Sequence, residues 1–126
     1  MKTLLDADEI KLLTEIGFLA AARADVGRAE VIFSALQSIR PHRNFAYVGL
    51  AMTYLNSDRA DEAVKVLTRG AALVDDHDLH ELEAIRALAL QMAGRAGESQ
   101  RVLVAAGSSR LAAVMQGQCI MNQQEI

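Results

Sequence analysis

Apolar residues recur every three or four positions along most of this chain, in blocks of about a dozen separated by short polar breaks. Ile10, Leu13, Ile16, Gly17 and Ala20 share a helical period. Asp25-Val26-Gly27 interrupts it, and Ala29, Ile32, Phe33, Leu36 and Ile39 form a second stripe. Pro41 stops that helix at Arg40, because proline lacks a backbone donor and disfavours helical geometry in the residue before it. A third helix is predicted from Asn44, its N-cap, to Leu55, followed by turn residues Asn56-Ser57-Asp58. The fourth opens with Asp61 and Glu62 and carries Ala63, Val66, Leu67 and Ala71. Asp75, Asp76, His77 and Asp78 cap a fifth, which holds Leu82, Ile85, Leu88, Ala89 and Met92. Gly94 to Ser99 makes another break, and Leu103 marks a sixth helix that Gly107 ends as a C′ glycine. Thr3 and Asp6 supply the first cap, and Leu111, Val114 and Met115 mark a last apolar segment.

These helices are copies of one unit. Tyr47, Leu50, Ala51, Tyr54, Ala63 and Leu67 have the spacing aromatic-x2-Leu-small-x2-Tyr, then Ala-x3-large, which is the tetratricopeptide pattern. Stepping back 34 residues lands on Leu13, Ile16, Gly17, Ala20, Ala29 and Phe33, with Pro41 where the unit closes. In the third copy Ser99 and Leu103 stand 36 residues after Ala63 and Leu67, so two residues have been added. The expected fold is all-α, a right-handed stack of three tetratricopeptide-like helix pairs in a single domain over residues 1–117. The pairs fall at about 10–43, 44–77 and 80–106. A capping helix at about 109–117 covers the final apolar face, and 118–126 is expected to be a frayed tail.

Composition narrows the field. Of the 126 residues 52% are hydrophobic but only 4% aromatic, which suits helices packed through small side chains and leaves little material for strands. The net charge is −3 and the 13 basic residues are scattered, which argues against a phosphate-binding surface, so no nucleic-acid partner is expected. No apolar run is long enough for a membrane span. The opening MKTLLDADEIK meets acids too early for a signal peptide, and the single Cys119 has no internal disulfide partner. A cytoplasmic location is expected.

With the anchors assigned to packing, function falls to the face between them on the first helix of each pair. In register these positions are Lys11, Thr14, Phe18, Ala21 and Ala22; then Phe45, Val48, Met52 and Leu55; then Ala84, Leu88, Gln91 and Met92. A groove lined this way is apolar. It lacks the Lys, Arg and Asn with which repeat proteins clamp a terminal carboxylate, and it suits an amphipathic helix or extended apolar segment, to which flexible methionine adapts.

The segment AEVIFSALQSIRPHRNFAYVGLAMTYLNSDRADEAVKVL, in a small acidic chain with a degenerate third repeat, resembles bacterial type III secretion chaperones of tetratricopeptide architecture. The needle-subunit chaperones and their plant-pathogen relatives are the nearest in size. The resemblance covers about residues 10–106. It implies a concave groove that holds the amphipathic helix of an aggregation-prone secreted subunit, with Phe18, Phe45, Val48, Met52 and Leu55 as contacts, and a co-chaperone or a second copy as further partner. The competing class is a self-associating scaffold that uses the same apolar surface. Chemistry has little support: no glycine-rich phosphate loop, serine elbow or catalytic carboxylate pair occurs, so no enzyme and no cofactor is expected. His77 and His80 stand among Asp75, Asp76 and Asp78, but acids at a helix start follow from capping and the helix dipole alone, and no metal is assigned.

Overall fold

A computed structural model describes residues 5–106. Thr3, Gly107, the capping helix, Cys119 and the tail lie outside the described residues. Within them the ordered elements are six α-helices: α1 (Ala7–Ala22), α2 (Val26–Ile39), α3 (Phe45–Asn56), α4 (Ala60–Ala71), α5 (Asp76–Met92) and α6 (Ala96–Ala106). The molecule is all-α over this range, and no helix among the described residues is long and apolar enough to cross a membrane.

Each helix starts and stops for local reasons. Asp6 caps α1 through a capping box: its carboxylate accepts from Glu9 N–H while Glu9 accepts from Asp6 N–H. Three of the connections, after α1, α3 and α5, are built alike. Ala24, Asp58 and Gly94 adopt positive φ, and the N–H of the next residue reaches back to the carbonyl of Ala20, Tyr54 and Leu90 respectively, at 2.9, 2.8 and 2.8 Å. This is the Schellman geometry, which satisfies the carbonyls a helix end would otherwise leave without donors. The three turns are spaced 34 and 36 residues apart, the intervals of the sequence repeat.

Packing follows the same period. Helices contact in the pairs α1 with α2, α3 with α4, and α5 with α6, while α3 also touches α1, α2 and α5, and α4 touches α5. The first helices of the pairs therefore lie side by side in the order α1, α3, α5, with the second helices behind them. Ala29, Ala63 and Ser99 are buried at equivalent points, as are Ala20, Tyr54 and Leu90. Phe33 shows why small residues are needed here. A Cβ added to Gly49 would sit 2.2 Å from its ring, and one added to Gly17 would sit 2.9 Å away, so α2 approaches both α1 and α3 only through glycine. Two expected anchors differ: Ile16 and Leu103 are exposed, because no described helix covers the outer side of the first or last pair.

The two added residues are taken up within α5, which runs 17 residues against 12 for α3 and so starts earlier than the repeat would begin it. Asn44 is the N-cap residue of α3 but makes no side-chain cap; its amide donates instead to the carbonyl of Asp78 at 3.0 Å. Asp78 in return accepts from Asn44 N–H and from Arg43 Nε, both at 2.9 Å. Asp75 N–H donates to His42 O, and the His42 ring stands 3.0 Å from Leu73 O, so the 40–44 connection is laced to the 72–75 connection and the first turn of α5.

Candidate functional site

Helix α3 is enclosed by four neighbours, and Ala46, Tyr47, Val48, Gly49, Leu50, Ala51, Thr53 and Tyr54 are all buried. What remains open is a strip holding Met52 and Asn56, flanked by the half-buried Phe45 and Leu55. At 100° per residue these share one side of the helix, the side turned away from α2 and α4. On α5 the strip in the same phase is Ala84, Leu88 and Met92, all exposed, with Gln91 beside them. On α1 it is Lys11 and Ala22, exposed, with Thr14 and Phe18 half-buried. Since α3 touches both α1 and α5, the three strips adjoin.

Of the thirteen positions expected to line a groove, eleven reach this open face. Ala21 and Val48 lie beneath it, only 1% and 8% exposed, and support it from below. Met52, Leu88 and Met92 are 39, 50 and 54% exposed, a large uncovered area for side chains that gain about 1.5–3 kcal/mol each on burial. Phe18 is held edge-on against Phe33, ring centroids 5.3 Å apart, so one wall of the strip is fixed by the core. The Thr14 hydroxyl donates to Ile10 O at 2.7 Å and has no proton to offer a ligand. No charged side chain occupies the row Phe18, Phe45, Met52, Leu55, Ala84, Leu88 and Met92. The face can bury apolar groups.

The polar residues near His77 are otherwise engaged. His77 Nε2 stands 3.4 Å from Asp78, whose carboxylate serves Arg43 and Asn44. Burial alone would push that carboxyl up, but the Arg43 hydrogen bond and the Asn44 N–H outweigh it and hold Asp78 below the usual aspartate range. His80, Asp76 and Glu83 border a depression of about 470 Å³ with Ala105 and Ala106, and Glu83 is paired with Arg86 at 2.9 Å. Among the described residues no three His, Cys, Asp or Glu side chains converge to hold a metal ion. Sequence reasoning did not find the role of Asp78; its signal was its place 34 residues after Asn44. Comparison with known proteins returned no matching protein-family model, curated protein or solved structure.

Proposed function

We propose that the chain is a protein-binding module: a right-handed stack of three tetratricopeptide-like helix pairs whose concave side receives an amphipathic helix or apolar segment. The observation that carries this reading is the uncovered row of Met52, Leu88 and Met92, continued by the half-buried Phe45 on α3 and Phe18 on α1. Association costs roughly 4–15 kcal/mol before any net affinity appears. A partner must therefore bury most of the row, which favours a helix of several turns over a short peptide.

The partner class follows from the sequence resemblance: a secreted subunit of a type III apparatus, kept in the cytoplasm from assembling too early. In that role the chain is a chaperone and not an enzyme, and it needs no cofactor. The test is a pair of variants, Met52→Glu and Leu88→Glu, examined for binding of an apolar fluorescent dye and for capture of a co-expressed needle-type subunit. Each variant should lose at least about tenfold in subunit binding and part of the dye signal while its circular-dichroism melt stays within a few degrees, since an exposed position tolerates charge. A collapsed melt would place these residues in the core, and unchanged binding would refute the groove.

A further inference from the structure

A different side of α1, turned about 120° from Phe18, carries a second apolar row. Leu12, Ile16 and Leu19 are 57, 46 and 60% exposed. With Asp8 before them and Arg23 after, they occupy an arc of about 80° on the helix at 100° per residue. The row faces away from α3, whose Asn56 amide reaches Ala21 O on the other side of α1, and the exposed Glu15 separates it from Lys11, Phe18 and Ala22 of the strip described above. Beside Leu19, between α1 and α2, a shallow cavity of about 150 Å³ is lined by Ile16, Leu19, Ala20, Arg23, Asp25, Arg28 and Ile32.

We propose that this face docks a second copy of the chain, with the two α1 helices antiparallel about a two-fold axis near Ile16. An isologous contact must be complementary to itself, and this one is. Antiparallel placement sets Leu12 of one copy opposite Leu19 and its neighbouring cavity on the other, brings the two Ile16 side chains together, and puts Asp8 opposite Arg23 at both ends. Parallel placement would set like charges against each other. Neither Asp8 nor Arg23 has a side-chain hydrogen bond or ion pair among the described residues, so both are available to a partner. The helix dipole favours an acid at the start and a base at the end of any helix; their place on the same face as the leucines is what makes them complementary across the axis. Glu15 lies about 20° outside the arc, and the same axis brings it beside its symmetry mate at the solvent-exposed edge of the contact, where the like charges are screened. The surface is one helix face of about 24 Å, small against a standard interface, so the dimer forms at micromolar concentration.

The test is sedimentation velocity of the full chain from low to high micromolar concentration. The wild type should pass from monomer to dimer. Ile16→Glu should stay monomeric with unchanged helix content and unchanged capture of the co-expressed subunit, while Met52→Glu should dimerise normally. Asp8→Arg and Arg23→Asp should each raise the dissociation constant about tenfold, since two like-charge pairs arise by symmetry. Combining them in one chain should restore it, and mixing the two single variants should yield a dimer tighter than either alone. A chain monomeric throughout, a dimer indifferent to Ile16→Glu, or a double variant as weak as the singles would each overturn the proposal.

Discussion

At the residue scale the three Schellman turns differ in one atom that matters. Gly94 adopts its positive φ without strain, whereas Ala24 at φ 54° presses its Cβ toward the following carbonyl. Ala24→Gly should therefore stabilise the fold by roughly 0.5–1 kcal/mol, and Gly94→Ala should destabilise it by about 1 kcal/mol, both measurable by urea titration. The tyrosines make a second prediction. Burial, and after it the hydrogen bond to Glu30, pushes the Tyr54 phenol up to about 12, and burial raises Tyr47 also. A raised folded value means the stabilisation is complete below pH ~10 and is lost as pH climbs through the folded value. Phenolate absorbance should consequently appear together with loss of helix between about pH 10 and 12, instead of as an independent titration near 10.

At the element scale, Gly49 and the linked connections decide stability in ways that propensity does not foretell. Helix propensity alone would have Gly49→Ala gain about 1 kcal/mol. The Cβ meets Phe33 at 2.2 Å, so the variant should instead lose about 1–3 kcal/mol, and Phe33→Leu in the same chain should recover part of that. Asp78→Asn should cost about 1–2 kcal/mol by weakening the bonds from Arg43 and Asn44. Because Asp78 is held below the usual range, its stabilisation is present above pH ~4 and fades as pH falls through the folded value. The variant should lack that part of the acid transition.

Much of this scale was legible in the sequence. The turn at Asn56-Ser57-Asp58 and the anchors Phe33, Tyr54, Ala63 and Leu67 are local signals, and all four anchors are buried. Ile16 was not legible: an apolar period locates the stripe of a helix but does not say which side of an end helix lacks a neighbour. Nor was the Asn44–Asp78 pairing, which exists only once two connections 34 residues apart meet.

For the whole molecule, the layer order α1, α3, α5 places the apolar strips side by side and makes the open face one surface. The sequence register located that face on the first helices of the pairs. It could not separate Ala21 and Val48 from their neighbours, because one helical step at a tight interface takes a side chain from surface to interior. The glutamate substitutions at Met52 and Leu88 test that surface, and those at Asp8, Ile16 and Arg23 test the back of α1, so the two faces report independently.

The matched joints after α1 and α3 also make the chain modular. A duplicate of residues 25–58 spliced in after Asp58 would meet, at each seam, the backbone bend it already makes. The protein's length is thus adjustable in units of one hairpin, and a lengthened variant would extend the apolar strip without any new joint having to be invented.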